Sequence, residues 1–409
     1  MPDAPLPSRE RGKNFPTGIT GGPAQARASL PLARRGIDMA AKILITGGAG
    51  FIGSHLADKL LENGYSIRVL DDLCPQVHGR RARPGYLKRE VELVSGDIRD
   101  PDVVRRALAG VHAVIHLAAT AGVGQSMYEI AHFTSVNATG TAVLLEELAR
   151  HPVQKLVVAS SMCVYGEGLY RTPRGGLVEG APRPISQLRK RDWEVRDGLG
   201  DALAPVPTPE SKTPAPPSVY AISKLHQERL CLTVGDAYGI PTVALRLFNV
   251  YGPRQALSNP YTGVLAIFAA RYLNGRTPQI LEDGEQRRDF VSVHDAVSSL
   301  QLALENREAN GHVLNIGSGR SHTIREAAES LGDVLGVSNP EPEITGEYRI
   351  GDVRNCLADI SLARIVLGYE PRVRFQEGLL ELAEWLEGCT PVDRSREASA
   401  ALASRGLRV

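Results

Sequence analysis

The stretch Thr46-Gly47-Gly48-Ala49-Gly50-Phe51-Ile52-Gly53 decides how this chain is read. It follows a short apolar run at residues 42–46. It precedes residues 54–63, where Leu56, Leu60 and Leu61 recur at helical spacing and Gly64 stands where a C-cap belongs. Strand, glycine turn and helix in that order make a phosphate cradle. Gly47 permits the tight turn, Gly50 lets a backbone approach a pyrophosphate, and Gly53 allows close helix–strand packing. Phe51 and Ile52 open the helix, where unpaired N–H groups carry partial positive charge. A second strand, 66–70, ends in Asp71-Asp72. Asp71 lies near the ~20-residue offset of a carboxylate that accepts from ribose hydroxyls. A carboxylate there repels a 2′-phosphate, so NAD is expected rather than NADP.

Outward from this turn, strands at 91–94, 113–117 and 155–160 alternate with helices near 102–108 and 137–149. Such alternation predicts an α/β fold with a doubly wound parallel sheet, a Rossmann domain. Residues 166–218 break the pattern. They are dense in Pro and Gly, carry Arg189, Lys190 and Arg191, and read as an inserted surface segment. A helix near 220–235 and a strand at 242–247 resume it. The expected division is a disordered leader (1–38), an NAD-binding domain in two parts (39–165 and 219–248) around the insert (166–218), a smaller α/β substrate-binding domain (249–388) and a flexible tail (389–409). Met39 offers an alternative start. A targeting peptide is the rival reading of the leader, weakened by its Pro and Gly content and by the lack of an apolar core.

Composition narrows the function. The 409 residues are 43% hydrophobic and 23% charged, with 47 basic against 46 acidic side chains, so no global basic field exists to hold nucleic acid or an anionic membrane. No apolar run approaches the ~18 residues of a membrane span. The five cysteines are scattered without paired metal-ligand spacing. A reducing cytoplasm and no bound metal are expected.

Tyr220-Ala221-Ile222-Ser223-Lys224 puts a phenol and an ammonium on one helical face. Free tyrosine titrates near ~10, too high for a base at neutral pH. A cation ~4 Å away at an effective dielectric near 20 contributes about 4 kcal/mol, or about 3 pK units. Lys224 and the positive nicotinamide ring of bound NAD are therefore expected to draw Tyr220 toward neutrality, as general-base work requires.

The glycine spacing resembles that of the extended short-chain dehydrogenase/reductase superfamily, and within it the NAD-dependent nucleotide-sugar epimerase/dehydratase family. Asp97-Ile98 resembles its adenine contact, and His116-Leu117-Ala118-Ala119 its fourth-strand motif beside the cofactor. His116 itself reads as a packed, hydrogen-bonded histidine. Ser160-Ser161-Met162-Cys163-Val164-Tyr165-Gly166 ends the fifth strand, and the resemblance makes Ser161 the partner of Tyr220 and Lys224. It implies that Tyr220 takes a proton from a sugar hydroxyl while carbon 4 is transiently oxidised with bound NAD. The keto sugar then turns, and hydride returns to its opposite face.

Three further segments resemble the family's substrate side. They are Arg246 to Arg254, with Asn249 facing a diphosphate; Arg287 to Val291, with Arg288; and Arg349 to Asp352, with Arg349. Guanidinium forks suit paired phosphate oxygens, so the implied ligand is a nucleotide diphosphate sugar. Gly122 to Ile130, including Ser126, and Gln255 to Val264 are similar to dTDP-L-rhamnose 4-epimerases and close relatives. Those relatives often carry cysteine pairs in the insert; this chain has none there. The resemblance also implies a homodimer through helices near 137–149 and 220–237. Rival readings remain. A 4,6-dehydratase needs an Asp-Glu pair where Met162-Cys163 stands. A 3,5-epimerase would use Cys163 together with a Lys or His that 254–263 lacks. A non-catalytic NAD-binding scaffold would not need the Ser-Tyr-Lys set.

Overall fold

A computed structural model describes residues 37, 38 and 40–409. The expected leader and the alternative start at Met39 lie almost wholly outside the described residues. Seven parallel strands form the main sheet: β1 (Lys42–Thr46), β2 (Ser66–Asp71), β3 (Glu92–Ser95), β4 (Ala113–His116), β5 (Lys155–Ser161), β6 (Thr242–Leu247) and β7 (Val313–Ile316). Their order in space is β3-β2-β1-β4-β5-β6-β7. This is the doubly wound Rossmann order, which reverses direction between β1 and β4 and opens a crevice at their carboxyl ends.

The strands are apolar on both faces because helices cover both. Ile43 and Ile45 point into a core shared with helices Phe51–Glu62 and Val293–Glu305. Leu44, between them, points into the opposite core beneath helices Pro101–Leu108, Gly140–Arg150 and Val219–Ala237. Leu156 and Val158 of β5 likewise alternate with Val157. A third core, around Tyr251, Phe268, Phe290, Phe375 and Leu382, belongs to the smaller lobe.

Residues 166–218 are built into that lobe. A six-stranded sheet runs His322–Thr323, Arg287–Arg288, Asn355–Ala358, Ala204–Thr208, Leu169–Arg171, Leu177–Glu179. Three of its strands come from the segment that composition reads as a surface excursion. The cause is electrostatic as well as hydrogen-bonded. Buried Arg183 donates to both oxygens of Glu282, at 2.8 and 2.9 Å. Fully buried Arg354 donates to Glu282 at 3.2 Å and to Glu194 and Asp283 at 2.6 Å.

Residues 389–409, expected to fray, also dock. They form helix Ser395–Ala403, and Val409 exchanges two backbone hydrogen bonds with Tyr348, at 2.8 and 3.0 Å. Leu402 is buried and packs where a Cβ on Gly124 would stand, 3.3 Å away.

Removing one partner from a buried ion network leaves the others uncompensated. Glu282→Gln is expected to lower unfolding free energy by about 3 kcal/mol, read by chemical denaturation. A stability equal to the parent's would show that the network does not staple the insert to the second sheet.

Candidate active site

The crevice holds a cavity of about 490 Å³. Its floor is the glycine turn after β1. Gly47 has φ +68°, and a Cβ there would lie 2.9 Å from the Cα and N of Ala118. A Cβ on Gly53 would lie 2.5 Å from the Cα of Gly48. Only glycine fits either place. Helix Phe51–Glu62 starts at Gly50 without a side-chain cap, so its first N–H groups are left for an anion. Gly50, Phe51 and Ile52 line the cavity.

Asp71, at the end of β2, accepts from Ala49 N at 3.0 Å and from Leu73 N at 2.9 Å. His78 Nε2 lies 3.5 Å from Oδ1, and Oδ2 keeps a further lone pair for a ribose hydroxyl. Asp97 and Ile98 line the same side, but Arg99 grips the Asp97 carboxylate, holding it below its ordinary range. Leu117, Ala118 and Ala119 follow β4 and face the turn. The uncapped helix start, the glycine cradle and the carboxylate together fit a dinucleotide. His116 is buried between Thr46 (2.7 Å) and Thr141 (2.9 Å), and burial drives its pKa down to about 3. It is a neutral, packed histidine.

Ser161, Tyr220 and Lys224 all line this cavity. Ser161 ends β5 and accepts from Cys163 N at 3.2 Å. Ser218 caps helix Val219–Ala237 by accepting from Ala221 N, which starts the helix just before Tyr220. The electrostatics differ from the simple expectation. Burial raises the Tyr220 phenol above its ordinary value, and hydrogen bonding with Ser161 only partly opposes this. Burial lowers Lys224 to about 8, and its Nζ donates to Gln227 Oε1 at 2.7 Å. Desolvation is thus the largest influence on both groups when the polypeptide is taken alone.

The substrate-side residues divide. Asn249 lines the cavity and donates to Asp289 O at 3.1 Å. Arg288 and Arg349 are outside its lining. Arg288 donates to the carbonyls of Arg287 and Arg354, both at 2.9 Å, and of Val353 at 2.5 Å. Arg349 donates to Asp352 at 2.8 Å, and Arg288 lies 3.7 Å from the same carboxylate. Two cations therefore converge on one anion, and their charge is felt at Cys163.

Residues 43–186 and 200–317 match the model of the NAD dependent epimerase/dehydratase family. A dTDP-L-rhamnose 4-epimerase of Burkholderia thailandensis is 35% identical over 350 residues, covering 84% of this chain and 94% of that protein. A UDP-glucose 4-epimerase of Thermotoga maritima, solved with UDP-glucose, has TM-score 0.68 and 33% identity, covering 85% of this chain and 98% of that one. A UDP-glucuronic acid 4-epimerase of Bacillus cereus, solved with UDP-glucuronic acid and NAD, has TM-score 0.70 and 27% identity, covering 85% and 99%.

The chain belongs to the NAD dependent epimerase/dehydratase family. It is an NAD-dependent epimerase, and NAD is its cofactor.

Within this family member, one expected substrate contact has a different task. Ser126 is fully buried and away from the cavity lining. Its hydroxyl donates to Val123 O at 2.7 Å and accepts from Tyr220 N at 3.0 Å. It holds the first turn of the helix that carries Tyr220. Two features were missed in the sequence. Gln227 stands one turn after Lys224 on the same face, so helical spacing contained the signal. Gln76 joins Gln125 (2.9 Å) and Asn259 (3.0 Å) across the cavity rim, and no local pattern announces that link.

Ser126→Ala leaves a buried carbonyl and N–H unpartnered, at about 1–3 kcal/mol. A lower melting temperature and lower kcat are expected, with the KM for nucleotide sugar close to the parent's. A selective rise in that KM would restore Ser126 as a substrate ligand.

Proposed function

We propose that this enzyme is a nucleotide-sugar 4-epimerase acting by transient oxidation at carbon 4, with dTDP-L-rhamnose or a similar dTDP- or UDP-hexose as substrate. The carrying observation is convergence: Ser161, Tyr220 and Lys224 end on the cavity that the glycine cradle floors. The likeness to the Burkholderia enzyme supports the dTDP-rhamnose reading.

When bound, NAD supplies a hydride acceptor that can return the hydride, together with a positive nicotinamide ring. The residues named as its holders are Gly47, Gly50, Phe51, Ile52, Gly53, Asp71, Asp97, Ile98, Leu117, Ala118, Ala119, Tyr220 and Lys224. Ser161 donates to a sugar oxygen and orients it. Tyr220 accepts the proton of the 4-hydroxyl and later gives it back. Lys224 keeps positive charge beside the phenol. Asn249 lies toward the diphosphate. Arg288 and Arg349, sharing Asp352 near Cys163, are the cations that would draw the diphosphate toward that turn.

Dehydration is disfavoured because Met162 and Cys163 occupy the positions where a carboxyl group would be needed. Burial raises the Cys163 thiol, and the thiol packs with the apolar core, which disfavours a cysteine acid–base role. Pairing of helices Gly140–Arg150 and Val219–Ala237 with a second copy, around exposed Ile222, would make the homodimer. Five free cysteines suit a reducing cytoplasm. No helix among the described residues is long and apolar enough to cross a membrane.

The test is incubation with NAD and a panel of dTDP-, UDP-, GDP- and CDP-hexoses, with products read by NMR. A 4-epimer is expected, and Tyr220→Phe should turn over roughly 100-fold more slowly or worse while still binding NAD. A stable keto-deoxy sugar would make the enzyme a dehydratase. No conversion of any nucleotide sugar, or parental rates in Tyr220→Phe, would overturn the reading.

A further inference from the structure

The buried face of helix Val219–Ala237 is polar. Beside Lys224 it carries Gln227, which the proposed chemistry does not use and which is only 1% exposed. Gln227 Oε1 accepts from Lys224 Nζ at 2.7 Å. Its Nε2 lies 2.8 Å from Thr141 Oγ1 and 3.2 Å from Ala118 O. The orientation of this amide is forced. An ammonium only donates and a backbone carbonyl only accepts, so Oε1 must face Lys224 and the NH₂ must face Ala118. Ala118 is the residue against which Gly47 packs, on the floor of the cofactor site. One side chain therefore ties the ammonium to that floor.

We propose that Gln227 is a positioning residue for this reaction, its carboxamide holding the Lys224 side chain charged and aimed along the cofactor floor. The inference rests on the 4-epimerase reading only in giving Lys224 its task. Tyr220 stands one turn before Lys224 on the same helix; the titratable groups that interact with Lys224 are Glu228 and Cys231 on its own helix, Cys163 from the turn after β5, and His116 from β4. Burial keeps the two thiols protonated and His116 neutral. Glu228 is already shared between Arg246 and Ser160. The Gln227 dipole is thus the acceptor on which the ammonium rests. An acceptor bonded to the charged form raises its pKa. Burial has already brought Lys224 to about 8, so a modest further fall reaches working pH.

The experiment follows the Lys224 titration by NMR in full-length, NAD-bound enzyme with isotope-labelled lysine, its signal assigned by loss in Lys224→Arg. Gln227→Leu should lower the Lys224 pKa by about one unit, the loss of a hydrogen bond to a charged group. Gln227→Glu should raise it, because an anion replaces a dipole. The alkaline limb of kcat/KM should move down in the first variant and up in the second. If Gln227→Leu does not fold, Gln227→Met takes its place. Folded variants with the parental Lys224 pKa would overturn the proposal, as would shifts of the same sign in both. A parent that converts no nucleotide sugar would instead overturn the 4-epimerase reading, and the NMR titration would still decide the role of Gln227.

Discussion

The geometry of the active cleft depends on one buried carboxylate. Glu228 has no exposed surface. It accepts from Arg246 at 2.7 and 2.9 Å and from Ser160 Oγ at 2.7 Å. Isolated in that interior it would cost several kcal/mol, so it is tolerable only with these partners in place. Arg246 belongs to β6 and Ser160 to β5, so the carboxylate locks helix Val219–Ala237 against two strands at once. The guanidinium also lies 4.7 Å over the Tyr165 ring, whose hydroxyl donates to Asn315 on β7 at 2.7 Å. Ser161 is the residue after Ser160, and Lys224 stands one turn before Glu228. The clamp therefore fixes both the end of β5 that carries Ser161 and the helix that carries Tyr220 and Lys224.

Within that frame, desolvation sets the resting protonation. It moves the phenol up and the ammonium down, so each shift opposes the ionised pair that proton abstraction needs. Residue spacing puts a cation on the phenol's helical face but does not reveal the desolvation that comes with packing both groups against β5 and the core. In the polypeptide alone burial thus favours the protonated phenol, and Lys224 rests on the Gln227 amide.

The cofactor half was legible because its chemistry is local. A glycine turn with no room for a Cβ at Gly47, a helix start and a carboxylate after the next strand are readable within residues 42–72. The fold class followed from the same regular alternation. The helical pattern of Tyr220 and Lys224 was legible for the same reason. The substrate side was not, because its residues are assigned by partners far away in sequence. Arg288 looks like a free fork until Val353, Arg354 and Asp352 are seen around it. Ser126 looks like a loop hydroxyl until Tyr220 N arrives from a distant helix. The Pro- and Gly-rich insert looks unstructured because its order comes from Glu282 and from Asn355–Ala358, which composition cannot anticipate.

The two halves also differ in how they could diverge. The catalytic end rests on strand termini inside a continuous sheet, where a shift in one residue disturbs neighbours on both faces. The opposite wall is stitched from separate segments. The Tyr261 hydroxyl bonds that of Tyr128, and Arg405 stacks 4.5 Å over the Tyr128 ring. Leu402 and Arg349 share the space beside Gly124, and Ile350 bonds Leu407 at 3.0 Å. Tyr261 faces the cavity, so residues from 394–409 shape it at one remove. A change in this docked segment can reshape that wall while the Glu228 clamp holds β5 and the turn carrying Lys224; Tyr220 is joined to the wall through Ser126. The solved relatives named for UDP-glucose and for UDP-glucuronic acid share this fold while differing in sugar. A rigid centre joined to a stitched wall is a physical basis for such variation.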